Sequence, residues 1–432
     1  MKRFRITPTQ VIALGFASVI CIGAILLMLP ISQKSSESLL SPVDAFFTSV
    51  SAVCVTGLLA VDTADTFTAF GQTVIAILIQ IGGLGITSIG VGLISFRNRK
   101  IRMKDQMLLR EALNYSSMNG VLNLIRSVLI TTFIFEFIGA VLSFIVFSRD
   151  YPIPHAIGIS VFHSIASFNN AGFDILGNMQ SLTNYSDNIP LNIITSGLII
   201  FGGIGFFVIQ DILKKHSWKK FRVHTKIVIC MTITLVLGGT VLLKIAEHDS
   251  ITWLQAFFTS VSARTAGFST CSFSTFSNAG ILIMTLCMFI GAAPGSTGGG
   301  IKVTTIFVLL RSILSYPTGT TPKAFHRRFS SGASQQAFVI CTLGIGIVLI
   351  STFALSLAAP EYEFSQIIFE SISAFATVGL STGITPELND AAKIILMITM
   401  YAGRLGALSI ISLWTKKKIE TILLPEEEIA IG

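Results

Sequence analysis

The stretch DAFFTSVSAVCVTGL at residues 44–58 returns as QAFFTSVSARTAGF at 255–268, and more loosely as VFHSIASFNNAGF at 161–173 and IIFESISAFATVGL at 367–380. Each copy is apolar and serine-rich and ends near a glycine: Gly57, Gly172, Gly267 and Gly379, spaced by 115, 95 and 112 residues. Such recurrence makes the fold an array of one repeated unit. A long apolar stretch precedes each copy, at about 11–31, 121–147, 226–245 and 337–358. Another follows, at about 73–96, 189–213, 279–314 and 391–414. Most match the ~20 residues that carry a helix across ~30 Å of hydrocarbon. The ten to fourteen residues of each repeated copy do not, because as helix they rise only ~15–21 Å. Each copy must therefore leave on the side it entered. At membrane depth such a path is tolerated only where protein buries it or water lines it.

Composition agrees with a lipid setting. Only 12% of the 432 residues are charged and 52% are hydrophobic, against roughly 25% charged in soluble domains. Abundant Phe and Gly suit helices packed closely inside a bilayer. A soluble enzyme, a disordered scaffold and a secreted disulfide module are excluded. The six cysteines are scattered without metal-ligand spacing. The expected fold is an all-α polytopic membrane protein of eight transmembrane helices and four re-entrant half-helices around a pseudo-fourfold pore. The units are placed at 1–110, 111–222, 223–330 and 331–420, with a tail at 421–432, expected to pack at a partner or dimer seam. The apolar run after Lys2, Arg3 and Arg5 has no convincing cleavage site and reads as a retained first helix.

Charge orients the array. Basic residues collect after the second span of each unit: from Arg97 to Arg110, from Lys214 to Lys226, from Lys302 to Arg328, and at Lys416, Lys417 and Lys418. The loops flanking the short copies carry acids instead, among them Asp62, Asp65, Asp174, Glu247 and Glu387. By the positive-inside rule, both termini are cytoplasmic and the four short segments open outward. The formal charge of +8 then reflects topology, and no nucleic-acid partner is expected.

A short helix descending from the outer side aims its partially negative C-terminus at the membrane centre. Four of them make a focus where a dehydrated cation can rest, and the chain climbing out can offer peptide carbonyls in place of the ion's water. Glycine supplies the positive φ that aiming successive carbonyls one way requires. The candidate ion-binding residues are therefore Val55, Thr56 and Gly57; Asn170, Ala171 and Gly172; Thr265, Ala266 and Gly267; and Thr377, Val378 and Gly379. A single glycine would read as a turn residue, but four at one place favour a carbonyl-lined filter.

The third long span carries Gly291, Ala292, Ala293, Pro294, Gly295, Ser296, Thr297, Gly298, Gly299 and Gly300. Proline and five glycines in ten residues cannot sustain a helix, so it must break near mid-membrane. A phosphate-cradling loop would need Lys directly after its last glycine, whereas Ile301 intervenes before Lys302. A mobile plug below the filter fits better. The other inner spans carry GGLG at 82–85, GGIG at 202–205 and GRLG at 403–406, read as close helix packing. Arg404 is costly at this depth unless it meets partners or water. It either closes the gate with the glycine loop or staples the fourth span to the break.

Taken together, the four-unit layout, the filter glycines and the GAAPGSTGGGIKVTT segment resemble the Trk/Ktr/HKT superfamily of potassium and sodium transporters, and within it the bacterial Ktr-type membrane subunit. The likeness covers about residues 9–413. It implies K+ as the transported ion, Na+ as a candidate activating ion and no organic cofactor in this chain. It also implies a homodimer in the lipid bilayer, bound to a cytosolic ring of nucleotide-binding regulatory subunits. In that superfamily serine at the first filter glycine is associated with sodium preference, so Gly57 favours potassium. The alternatives are a sodium or nonselective cation route, or a substrate-coupled secondary transporter with inverted repeats.

Other charges inside apolar segments are Arg264 and Glu370, candidates for an ion pair or for separate anchoring, and Glu136, which needs a partner. Arg126 can snorkel toward a membrane edge. His163 is expected to be packed, and no catalytic constellation is present.

Overall fold

A computed structural model describes residues 7–34, 40–85, 121–330, 332–414 and 427. The basic segment around Arg97–Arg110 in the first unit, the second half of the span expected at 73–96, and nearly all of the tail lie outside the described residues. Among the described residues, four helices are long and apolar enough to cross a membrane outright: α1 (Pro8–Met28), α5 (Val121–Phe147), α9 (Val223–Ala246) and α13 (Ala333–Ala358). They are apolar all round, as lipid contact requires. Phe133, Phe137, Ile350 and Phe353 stand more than half exposed on their outer faces. Thr7 starts the first through a capping box with Gln10, and Pro8 at its first position needs no N–H partner.

Each long helix is followed by a short one: α2 (Pro42–Cys54), α6 (Ile153–Phe168), α10 (Trp253–Ser262) and α14 (Phe364–Ala376). Ser41 caps the first, and capping boxes of Thr252 with Gln255 and Glu363 with Gln366 begin the third and fourth. With 13, 16, 10 and 13 residues, they fall short of the bilayer's width. After a loop that includes the short α3 (Thr63–Thr66) in the first case, an inner helix returns: α4 (Ala69–Leu84), α7 (Ile189–Gly203), α11 (Asn278–Phe289) and α15 (Asp390–Leu405). Each inner helix packs on the short helix of the next set, and α15 packs back on α2. That cyclic packing closes a ring, and the Lys393–Asp44 ion pair (2.8 Å) seals its last joint.

The inner helices end before their apolar stretches do. Gly85, Gly205 and Gly406 sit at φ of 81, 88 and 85° with ψ near 140°, a region closed to other residues, and each helix ends there. In the second set α8 (Phe206–Lys215) leaves at 96° to α7, so the stretch 189–213 is not one straight span. In the fourth, α16 (Ala407–Trp414) continues past the break. In the third, α12 (Val303–Ser315) resumes after the expected interruption. The last glycine of each GGxG-like cluster is thus a helix break rather than a packing residue.

The first glycine of each cluster does serve close packing. A Cβ on Gly82, Gly202 or Gly403 would come under 3.0 Å from the carbonyl oxygens of Val53, Phe168 and Phe375. All three carbonyls lie four residues before their filter glycine. Gly403→Ala should cost ~1–3 kcal/mol through overpacking. The check is thermal unfolding of the protein in nanodiscs, where a lower midpoint is expected; an unmoved one would mean that the two helices part freely.

Candidate functional site

Gly57, Gly172, Gly267 and Gly379 meet at the centre of this ring. A Cβ on Gly57 would fall under 3.0 Å from the Ala171 oxygen, on Gly172 from that of Ala266, on Gly267 from that of Val378, and on Gly379 from that of Thr56. The contacts thus run from set to set and close on themselves. All twelve residues expected to bind the ion are buried here.

One conformation repeats in all four turns. The glycines have φ of 95, 68, 81 and 93°. Two residues earlier, Val55, Asn170, Thr265 and Thr377 also adopt positive φ, at 57, 58, 73 and 50°. For β-branched Val55, Thr265 and Thr377 this is a strained choice worth ~1–3 kcal/mol each. Sequence reasoning missed it, and only Asn170 is a residue type that favours such a state. The residue between turns its N–H back to the short helix: Thr56 to Ser51 O (2.8 Å), Ala171 to Ala166 O (2.8 Å), Ala266 to Ser262 O (2.9 Å) and Val378 to Ser373 O (2.9 Å). A trans peptide sets its N–H and C=O on opposite sides, so the carbonyls of Val55, Asn170, Thr265 and Thr377 point away from the short helices' ends. The Oγ1 atoms of Thr56 and Thr377 are buried there without a hydrogen-bond partner.

The Gly-rich segment packs against the ring. Its neck is pinned where Ile290 and Ile301 pair in parallel, with Gly291 N–H donating to Ile301 O (2.9 Å). Ala293 N–H donates to Gly203 O (2.9 Å), and Phe206 N–H donates to Gly295 O (2.9 Å), tying the segment to the second inner helix. Thr297 Oγ1 donates to Phe168 O (3.2 Å) at the end of a short helix. Gly298 and Gly299 lie so close to Thr265 Oγ1 and Thr377 Oγ1 that any Cβ would come under 3.0 Å. Ala292 is buried within the loop, Pro294 and Gly300 are half-buried, and Ser296 Oγ donates to Ala293 O (2.6 Å).

Arg404 reaches the loop through a backbone carbonyl. Its Nη1 donates to Thr297 O (2.6 Å), and its Nη2 donates to Gly82 O, with Gly83 O at 3.5 Å. One guanidinium therefore joins the loop to the first inner helix. Lys302 departs from expectation. Grouped by sequence with the basic flank, it turns inward, and its Nζ donates to Gly298 O (2.7 Å) and Gly299 O (3.0 Å). The loop's carbonyls supply its partners, and that of Gly299 also accepts from Ala292 N–H (3.3 Å). Two cationic groups thus stand on the loop's side of the glycine ring.

The remaining charges resolve individually. Arg264 and Glu370 do not pair. Glu370 accepts from Ser381 Oγ (2.7 Å), Thr382 N–H (2.9 Å), Thr382 Oγ1 (3.2 Å) and Thr385 Oγ1 (2.8 Å), so the loop rising beyond Gly379 already satisfies it. Arg264 is 6% exposed, and its Nε has no partner. His163 is packed between Phe147 and Phe268, with Nε2 2.9 Å from Thr195 Oγ1. Arg126 is exposed. In the loop beyond Gly172, outside the spanning helices, burial and then the nearby Asp62 and Asp65 carboxylates push the Asp174 carboxyl up to about 7, against a donating Leu176 N–H. No group of three His, Cys, Asp or Glu suited to a metal occurs among the described residues.

The chain matches the family model "TrkH: Cation transport protein" over residues 4–228 and 220–421. It is 38% identical to Ktr system potassium uptake protein B of Bacillus subtilis, across 100% of this chain and 98% of that protein. Against the potassium/sodium uptake protein NtpJ of Enterococcus hirae the identity is 37%, over 100% and 98%. The crystal structure of the potassium transporter TrkH from Vibrio parahaemolyticus superposes with a TM-score of 0.74 at 19% identity, covering 96% of this chain and 86% of that one. At that identity the superposition speaks to fold alone.

Proposed function

From the premise that this chain belongs to the TrkH family of cation transport proteins, we propose that it is the membrane-embedded, ion-translocating subunit of a potassium uptake system. The observation that carries the reading is the closed ring of four glycine turns, each with the same pair of left-handed residues. In this reading K+ sheds its water against the carbonyls of the four turns, aided by the negative ends of four short helices. The loop from Gly291 to Gly300, held by Arg404 and Lys302, blocks the path on the inner side. Small side chains let it swing aside at low steric cost. Both termini lie in the cytoplasm, two copies assemble in the bilayer, and a cytosolic nucleotide-binding ring controls the loop. Na+ acts as an activating ion.

A second reading, transport of both potassium and sodium, draws support from the 37% identity to a relative named for both ions. Rubidium uptake into proteoliposomes holding the purified chain separates the two. Potassium should compete and excess sodium should not. Equal competition by sodium would favour the second reading, and no saturable cation uptake at all would remove both.

A further inference from the structure

Glu136 lies midway along α5 and is only 6% exposed. Its Oε1 accepts from Asn169 Nδ2 (2.9 Å) and its Oε2 from Gln80 Nε2 (3.3 Å). The same Asn169 amide donates to Gln80 Oε1 (2.9 Å) and to Ile165 O (2.9 Å). Three helices contribute: the inner helix of the first set, the long helix of the second, and the end of the second short helix. Ser164 Oγ on that short helix also donates to Glu136 O (2.6 Å), fixing the backbone behind the carboxylate.

Asn169 directly precedes Asn170, the left-handed residue of the second turn, and stands three residues before Gly172. Its Oδ1 is buried without a partner and packs against Gly83, where a Cβ would come under 3.0 Å from it. The matching positions in the other turns are Cys54, Arg264 and Ala376. None of their side chains holds a comparable carboxylate–amide network among the described residues. The second turn is therefore braced through a carboxylate on another helix, whereas in the other three a serine of the turn's own short helix bonds the backbone: Gly57 N–H donates to Ser51 Oγ (3.0 Å), Gly379 N–H donates to Ser373 Oγ (3.2 Å), and Ser262 Oγ donates to Phe268 O.

A ring of carbonyls discriminates ions by its size and field, so whatever holds one quarter of it in place bears on selectivity. We infer that Glu136 is a positioning residue for ion selection: through Asn169 it holds the second turn in register, and through Gln80 it links that turn to the first inner helix. It touches no ion itself. The inference rests on reading the glycine ring as the ion path. Without the carboxylate, Asn169 Nδ2 keeps only Gln80 Oε1 and Ile165 O, and Gln80 Nε2 loses its bond to Glu136; buried amides that lose a partner reorganise, which would move Asn170 and its carbonyl.

The test compares potassium and sodium uptake in proteoliposomes of Glu136→Leu, Gln80→Leu, Glu136→Gln and Gly172→Ala. Losing the Asn169 hydrogen bond, the one of the two that bears on the turn, should lower the potassium-to-sodium ratio of Glu136→Leu by about tenfold. Glu136→Gln should restore most of it, since an amide at 136 still accepts from Asn169 and can donate to Gln80. An unchanged ratio in both Leu variants, with Gly172→Ala altered, overturns this inference and leaves the ring intact as the ion path. Lower stability with an unchanged ratio in the Leu variants also overturns it, since that marks a purely structural role. An unchanged ratio in Gly172→Ala as well removes the ion path and the inference together. Should Glu136→Leu fail to reach the membrane, Gln80→Leu decides on the same criteria.

Discussion

Gly379→Ala is expected to reach the membrane in normal amount and to take up potassium about a hundredfold more slowly, two tenfold steps of ~1.4 kcal/mol each. One step comes from the backbone, because φ is 93° at this residue and an L side chain there carries ~1–3 kcal/mol of strain. The other comes from the ring, because the new Cβ would fall under 3.0 Å from the Thr56 carbonyl oxygen and must displace it. Gly383 separates the two causes. Its φ is 101°, yet nothing lies within 4 Å of the position its Cβ would take. Gly383→Ala therefore carries the strain without the displacement and should lose at most the one tenfold step. Rubidium uptake, normalised to the protein recovered in the membrane, measures both. Equal losses in the two variants would show that backbone strain alone matters and that the ring does not carry the ion.

Arg404→Ala should have the opposite sign, raising resting cation flux by about tenfold, the worth of one charge-assisted contact. The guanidinium donates on one side to Thr297 O and on the other to Gly82 O. Without it the loop loses its tie to the first inner helix, and the path loses one of two positive charges; Lys302 remains. Arg404→Lys should fall between, because an ammonium has no planar fork to reach both carbonyls at once. Deleting part of the loop between Gly291 and Gly300 should raise flux as well. Flux unchanged in both the Ala variant and the shortened loop, with the fold intact, would defeat the gate. A fall in flux with a lower unfolding midpoint would identify Arg404 as a staple only.

Much of this arrangement was legible in the chain before any coordinates. The short helices follow from segment length against bilayer thickness, and the glycine turns from their recurrence. The break at 290–302 follows from its proline and glycines, which cannot hold a helix whatever surrounds them. Less legible were Gly85, Gly205 and Gly406. A GGxG cluster inside an apolar run reads equally as close packing or as a break, and here its first and last glycines do one each. Lys302 was misread for a related reason. A lysine after an apolar loop resembles a flank charge until the carbonyls of Gly298 and Gly299 are seen to face it.

The sequence by itself determined the membrane setting, the fourfold recurrence and where the backbone must turn, because hydropathy, helix rise and glycine's conformational freedom are properties of a few neighbouring residues. Only the tertiary structure decided what the buried charges do. Arg404 finds Gly82 across 322 positions, Lys393 finds Asp44 across 349, and Glu136 finds Gln80 across 56. A buried polar group takes whichever partner the packing brings within ~3 Å, and no local pattern encodes that distance.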